Sequence, residues 1–172
     1  KLKAYGDRFR INHDTWWMLT GPKKDIYDTY FSLFTLKYYY AAEQGEMYPG
    51  FEAMDGIEII KTEKTAVICG FNCKNAGVSF PDDRNKIYDI WYTNEISVKN
   101  PNASSPFDEI DGVLMSFFFR IGHSELSFNA ENVYKKDIPD ITFERREKFK
   151  RSSREDIIKF LNTMLTFKSR DV

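Results

Sequence analysis

The chain has 172 residues, of which 42% are hydrophobic and 30% charged, and its net charge is −1 at pH 7. These proportions are typical of a soluble folded domain and exclude a disordered chain, while the net charge gives no general attraction to nucleic acid. The longest apolar run, Val113 to Phe119, is interrupted by Ser116 and is far shorter than the roughly 18 residues of a membrane-spanning helix. We predict one domain over residues 1–172, and because residue 1 is Lys rather than Met, we expect a fragment or mature part of a larger protein.

The N-terminal part of the chain is rich in aromatic residues. Its first 20 residues alternate apolar and polar side chains, which predicts a strand or arm that ends near Trp16 and Trp17. From Asp25 onward the apolar residues recur at steps of three and four, which predicts an amphipathic helix of about 20 residues, with Gly45 as its stop signal. The apolar stripe of this helix consists of Ile26, Tyr30, Leu33, Phe34, Tyr38 and Ala41 or Ala42.

Beyond residue 51 the period of the apolar pattern changes from about 3.6 to two, which predicts β-strands. The first two strands are predicted to form a hairpin that turns at Glu63-Lys64. Gly112–Ile121 is apolar on both faces and therefore predicts a central strand that is covered above and below. The predicted strands are Ile57–Thr62, Thr65–Asn72, Lys86–Val98, Gly112–Ile121, Glu125–Asn129 and Ile141–Phe149.

Two segments near the strands carry local signals. Lys99–Asp111 is rich in Pro, Asn and Ser and is predicted to be the most flexible segment of the chain. It contains Asn102-Ala103-Ser104, a glycosylation sequon in a loop that its composition predicts to be exposed. Near the C-terminus, Ser152-Ser153-Arg154-Glu155 has the spacing of a capping box and predicts the start of a terminal helix.

The order of predicted elements is helix, strands, helix, which indicates the α+β class. We predict a long N-terminal helix packed on a curved, mainly antiparallel sheet of about six strands, followed by a C-terminal helix. In shape this arrangement is similar to the cone-like domains of the nuclear-transport-factor type. The alternative is a barrel similar to pleckstrin-homology domains, closed by the final helix. Both resemblances concern architecture and imply no function.

Residues that usually carry catalysis are scarce. His13 and His123 are 110 residues apart in no metal-binding spacing, so no zinc site is predicted, and His123 is interpreted as a turn residue. A resemblance to the PD-(D/E)xK nucleases would need an acidic residue two positions before a lysine, and no acidic residue of this chain has one. No nucleophile elbow or phosphate-binding loop occurs. We predict no catalytic residue, no metal and no cofactor.

Cys69 and Cys73 are the only cysteines. On a regular strand their Cα atoms would be about 13 Å apart, whereas a disulfide needs less than about 7 Å. An internal bridge would therefore require a sharp turn at Gly70–Asn72. We predict two reduced, partly buried thiols, which favours a reducing, cytoplasmic location.

The charge is unevenly distributed, and its basic part forms one cluster. Thirteen acidic and six basic residues lie from Glu43 to Asp111, whereas eleven basic and seven acidic residues lie from Lys135 to Val172. A basic ridge is predicted at the end of the last strand and the start of the terminal helix. Such a ridge would suit an acidic protein surface or the phosphates of lipid or nucleic acid. The ridge consists of Arg146, Lys148, Lys150, Arg151 and Arg154.

The aromatic residues supply the second candidate surface. Trp16 and Trp17 are adjacent and must face opposite sides of an extended segment, so the core accounts for only one of them. Tyr38, Tyr39 and Tyr40 pose the same problem on the predicted helix. Because Tyr and Trp are enriched in the cores of protein interfaces, we predict an interface at these five residues.

These observations favour a non-enzymatic protein-interaction or structural domain that acts within an assembly, with another protein or a second copy of the chain as partner. One alternative is a small-ligand-binding or enzymatic domain with an aromatic pocket between helix and sheet. Another is a lipid- or nucleic-acid-binding module that uses the basic ridge.

Overall fold

The computed structural model describes the backbone of residues 2–5, 8–13, 16–21, 26–33, 35–122 and 124–168, and the side chains of residues 26–32, 35–122 and 124–163. Two single-turn 3₁₀ helices, Glu52–Met54 and Asp140–Phe143, interrupt the connections. The remaining elements are β1 (Leu2–Tyr5), β2 (Arg8–His13), β3 (Trp16–Gly21), β4 (Ile26–Leu33), β5 (Leu36–Ala41), β6 (Glu58–Ile68), β7 (Phe71–Phe80), β8 (Asp83–Thr93), β9 (Val113–Ile121), β10 (Ser124–Asn129), β11 (Lys150–Arg151) and α1 (Arg154–Lys168).

The strands form two sheets. The N-terminal sheet has the order β1-β2-β3-β4-β5-β11, and the central sheet has the order β10-β9-β8-β7-β6. Within each sheet, strands that are consecutive in sequence pair antiparallel. The exception is β11, which returns from the end of the chain to lie parallel to β5.

The predicted long N-terminal helix is wrong, because residues 26–41 form the hairpin of β4 and β5, with Leu33 opposite Leu36. Strand β4 is buried on both faces. Tyr27 and Phe31 belong to the main core, whereas Ile26 and Tyr30 belong to a smaller core on the other face. A strand covered on both faces loses its polar alternation, and here its apolar residues fell at helical spacing. The cone-like arrangement is wrong because the described residues contain a single α-helix, at the C-terminal end. The pleckstrin-homology-like barrel is also wrong, because the described strands form two separate sheets.

Two further strand predictions are wrong in detail. Ile141–Phe149 is not a strand, since it contains the end of a 3₁₀ helix and an irregular connection to β11. The chain does not turn at Glu63-Lys64, because β6 continues through them and has a bulge between Lys61 and Thr65. The hairpin instead turns at Cys69-Gly70, where both residues have positive φ (52° and 83°), as type I′ turns require.

Several predicted elements are confirmed. Strand β9 lies inside the central sheet between β8 and β10, and most of its side chains are buried. Helix α1 begins at the predicted capping segment, where the Asp156 N–H donates a hydrogen bond of 3.1 Å to Ser153 Oγ. Ile157 and Leu161 on the inner side of α1 pack into the main core. Side-chain capping of this kind satisfies amide groups that the first turn of a helix leaves free.

The loop that was predicted to be flexible is packed into the protein. Phe107 is fully buried and contacts the rings of Phe117, Phe118 and Phe119 at centroid distances of 6.4, 6.1 and 5.6 Å. Asn102, the acceptor of the sequon, is 4% exposed. Its Nδ2 donates hydrogen bonds to the carbonyls of Ile110 (2.6 Å) and Gly112 (3.0 Å), so the folded protein offers no free amide for glycosylation.

Candidate interaction surface

The register of the N-terminal sheet places the predicted aromatic and basic residues side by side. Trp16 and Trp17 lie on β3, and their side chains are outside the described residues. Two adjacent rows cross the sheet from β3 through β4 and β5 to β11, namely Trp16, Phe31, Tyr38 and Lys150, and Trp17, Tyr30, Tyr39 and Arg151. The predicted residues in these rows thus lie together in the fold, on strands rather than on the predicted helix.

The three predicted tyrosines are partly buried, and each contacts another part of the chain. Tyr38 contacts the ring of Phe160 edge-on at 6.1 Å, and Tyr39 stacks on Tyr30 at 5.6 Å. Tyr40 Oη donates a hydrogen bond of 2.7 Å to Glu46. These contacts use much of the tyrosine surface within the fold, and an interface at these residues stays a prediction.

A buried ion pair fixes the 138–149 segment to the N-terminal sheet. Asp28 is fully buried and receives two hydrogen bonds from Arg145, from Nε at 2.8 Å and from Nη2 at 2.9 Å. Tyr30 Oη donates to the same carboxylate at 2.8 Å and accepts a hydrogen bond from the Arg146 N–H at 3.2 Å. Burial, followed by the charge of Asp28, raises the pKa of Tyr30. The bidentate geometry makes Arg145 the main compensation for a carboxylate that water cannot reach.

The predicted basic ridge is divided by the structure. Arg146, Lys148, Lys150 and Arg151 are exposed, and none of their side chains forms an ion pair with a described carboxylate. Arg154 is different, because it binds the loop between β5 and β6. Four exposed cations therefore remain for a partner, and a role for them stays a prediction.

Arg154 holds this loop through three contacts. Nη1 donates to Glu46 (3.1 Å) and to the carbonyl of Met47 (2.8 Å), and Nη2 donates to Glu52 (3.0 Å). Burial alone would raise the pKa of Glu46, but hydrogen bonds from Tyr40 and the Glu43 N–H, together with the charge of Arg154, outweigh it and hold the pKa below its ordinary value.

The depressed pKa of Glu46 makes stability pH-dependent. The corresponding contribution is complete above the ordinary value of 4.5 and is lost as the pH falls toward the lower pKa of the folded state. We expect Glu46→Gln to reduce the loss of stability between neutral pH and about pH 3, measured by urea unfolding. Glu63→Gln, which removes an exposed carboxylate, is the control, and an equal effect of both substitutions would contradict the assignment.

An exposed apolar patch lies on the outer face of the central sheet, near its β6 edge. Ile60 is 58% exposed and Ile87 is 53% exposed. Ile60 pairs with Gly77 across the strands, and a Cβ on Gly77 would come within 2.7 Å of Ile87 Cγ2. The glycine therefore lets Ile87 lie close to the sheet beside Ile60. The patch was not predicted, because Ile60 and Ile87 are far apart in the sequence and come together only when β7 pairs with β6 and β8.

The apolar patch, defined as Ile60, Gly77 and Ile87, has both signs of charge on its borders. Arg84 pairs with Glu58 at 3.3 Å on one side, and Lys64 pairs with Asp89 at 3.5 Å on the other. Both pairs are largely exposed, so each contributes little to stability. Their main effect is electrostatic, because the positive and negative charges on the borders of the apolar patch balance each other.

A cluster around Arg120 links neighbouring strands of the central sheet. Arg120 Cζ lies 3.6 Å from the centroid of the Phe80 ring. The guanidinium donates hydrogen bonds to Tyr88 Oη at 2.7 Å and to the carboxylate of Glu125 at 3.1 Å. A hydrogen bond with Lys86 lowers the pKa of Tyr88. Because Arg120 contacts side chains of β7, β8 and β10 at once, we interpret this cluster as a structural cross-link.

No three or more His, Cys, Asp or Glu residues in the described part of the chain are grouped to hold a metal. His123 is outside that part, and Cys69 and Cys73 are free thiols, with burial raising the pKa of Cys73. No helix among the described residues has the length and apolar character needed to cross a membrane. No family model, curated protein or solved structure matches the chain.

Proposed function

We propose that the chain is a non-enzymatic interaction domain that associates with a second copy of itself within an assembly, through the apolar patch. The observation that supports this proposal is the exposure of Ile60 and Ile87 side by side. Single exposed apolar residues are common on protein surfaces, whereas adjacent large ones with a polar border are typical of contact sites.

The balanced charges around the apolar patch favour a second copy as its partner. In a twofold contact the same surface is present on both sides, so a patch of one sign would repel itself. Here Glu58 with Arg84 and Lys64 with Asp89 give each side both signs. Each copy can therefore offer the other an opposite charge.

The β6 edge of the central sheet is poorly suited to pairing with a strand of another molecule. Contact through the face of the sheet is therefore favoured. Strand β6 is the terminal strand, and no described strand pairs with its outer edge. Its bulge between Lys61 and Thr65 carries Glu63 and Lys64, and bulges with charged residues hinder open-ended strand addition. The same face that contains the apolar patch remains available for a closed pair.

The other functions from the sequence have less support. The aromatic pocket was placed between a long helix and the sheet, and that helix is replaced by β4 and β5. The lipid- or nucleic-acid-binding alternative depends on Arg146, Lys148, Lys150 and Arg151, which are exposed. A protein contact at Trp16, Trp17 and Tyr38–Tyr40 remains a second location for the proposed interaction.

We expect Ile60→Asp or Ile87→Asp to weaken self-association at least about tenfold, because each substitution places a charge on both sides of a twofold contact. Sedimentation velocity over a concentration series, at two salt concentrations, measures the effect. Val67→Asp is the matched control, since Val67 is also on β6 and is 71% exposed, but lies outside the apolar patch.

Each result has a distinct meaning. A monomer at every concentration, or an equal loss in Val67→Asp, would contradict the proposal. Association that disappears steeply with salt would assign the contact to the basic ridge, because screening weakens charged contacts much more than apolar ones.

A further inference from the structure

The connection between β10 and the 3₁₀ helix Asp140–Phe143 is exposed along most of its length. Residues 130–139 lie in no helix, strand or turn, and all seven residues from 131 to 137 are exposed. No hydrogen bond or ion pair joins residues 131–137, which we call the connector, to another described residue. The connector can therefore move away from the surface without breaking polar contacts of the fold.

Both ends of the connector are held by the fold. Before it, the Ala130 N–H donates a hydrogen bond of 2.7 Å to the carbonyl of Met115, and the Ala130 carbonyl accepts one of 3.3 Å from Cys69 Sγ. After it, Ile138 packs against the smaller core, where Phe143 is 2% exposed. A free segment between fixed ends suits a protease, because the enzyme can draw it into an extended conformation without unfolding the rest of the protein.

The connector contains two adjacent lysines, Lys135 and Lys136. The described residues include two other pairs of adjacent basic residues, and the fold engages both. In the first pair, Arg145 binds the buried carboxylate of Asp28. The second pair, residues 150–151, forms β11 and is hydrogen-bonded to β5. Among the described residues, only Lys135 and Lys136 combine two adjacent positive charges with a backbone that is free of hydrogen bonds.

We propose that the connector is a processing site for an endoprotease that recognises paired basic residues, and that the chain is cut after Lys136. The peptide bond between Lys136 and Asp137 breaks, and water supplies a hydroxyl to the carbonyl carbon and a proton to the leaving nitrogen. Adjacent side chains of an extended segment point in opposite directions. The two lysines can therefore enter two separate acidic pockets of the enzyme, and acidic pockets are what proteases use to select basic residues.

The fragment that begins at Asp137 remains attached after the cut. Arg145 binds Asp28 on the N-terminal sheet, β11 pairs with β5, and Ile157 and Leu161 of α1 pack into the main core. The product is a two-chain complex in which the cover of the N-terminal sheet has become a separable chain. The connector follows β10, at the opposite edge of the central sheet from β6, so the cut leaves the apolar patch intact and does not depend on the proposed self-association.

Limited digestion of the full chain with trypsin, followed over time by mass spectrometry, tests the accessibility of the connector. Lys64 is the internal reference, because its side chain is 64% exposed but its backbone lies within β6. We expect cleavage after Lys135 or Lys136 to be at least about tenfold faster than after Lys64, since a strand must open before it can be cut. Size-exclusion chromatography of the cut protein should show the two fragments together without urea and apart in urea. Equal or faster cleavage after Lys64, or separation of the fragments without urea, would contradict the proposal.

A serine endoprotease specific for paired basic residues tests the recognition itself. We expect it to cut the wild type in the connector, and to cut Lys135→Gln and Lys136→Gln at least about tenfold more slowly, because each substitution leaves one acidic pocket without its cation. Trypsin should still cut both variants at the remaining lysine. Lys148→Gln, which replaces an exposed lysine outside the connector, is the matched control and should be cut like the wild type. Resistance of the wild type, or equally fast cleavage of Lys135→Gln, would overturn the proposal.

Discussion

Arg145→Met is expected to lower the free energy of unfolding by about 3 kcal/mol, because it leaves the carboxylate of Asp28 buried without its cation. Removal of one partner from a buried pair usually costs about 3–5 kcal/mol, and we expect the lower end because Arg145 itself is 45% exposed. Methionine keeps an apolar chain of similar length beside Tyr39. The observed effect would therefore report the lost charge and hydrogen bonds rather than lost packing.

The measurement is urea unfolding of the variant beside Arg146→Met. Arg146 is the adjacent residue, is exposed, and its side chain forms no ion pair with the described residues, so we expect its replacement to change stability by less than about 0.5 kcal/mol. Adding Asp28→Asn to Arg145→Met should restore part of the loss, since the buried group is then neutral. Equal effects of the two single arginine variants would contradict the role of the ion pair.

Phe107→Ala is expected to lower the free energy of unfolding by about 4 kcal/mol. The side chain is fully buried and contacts three rings of β9, and deletion of a buried phenylalanine removes its transfer free energy and leaves a cavity. For a protein of this size the expected fall in melting temperature is about 8–16 °C.

Tyr134→Ala is the control for the loss of an aromatic side chain, since Tyr134 is 75% exposed, and its effect should be below about 0.5 kcal/mol. Phe107→Leu is the milder variant. It should retain the fold and lose less stability than Phe107→Ala does, because leucine fills part of the space that phenylalanine occupies. A Phe107→Ala protein as stable as Tyr134→Ala would show that the loop does not depend on this anchor.

Strand patterns predicted the central sheet better than the N-terminal sheet, and burial explains the difference. Strand β8 has one face in the main core, where Tyr88, Ile90 and Tyr92 lie, so its alternation is visible in the sequence. Strand β4 is covered on both faces, and its second cover comes from residues near Phe143, more than 100 positions later. No local pattern contains that information.

The packing of residues 99–111 could not be predicted from the sequence for a related reason. Asn, Pro and Ser made residues 99–111 look flexible, yet the amide of Asn102 serves as an internal donor that holds the loop. A small cavity between this loop and residues 45–57 likewise combines segments about 50 positions apart. Only the fold shows that Asp55 and Ser104 lie at the same cavity as Asp108 and Glu109.

The late return of the chain to β5 has a consequence for the order of folding. Strands β6 to β10 pair only with their neighbours in sequence, so they close short loops and should form early. The N-terminal sheet obtains β11 and Arg145 from residues over 100 positions away. During synthesis it leaves the ribosome first, yet its second cover exists only after residues 138–151 have been made. The nascent N-terminal sheet therefore spends time with Tyr30 and Asp28 uncovered, a period in which it would depend on chaperones.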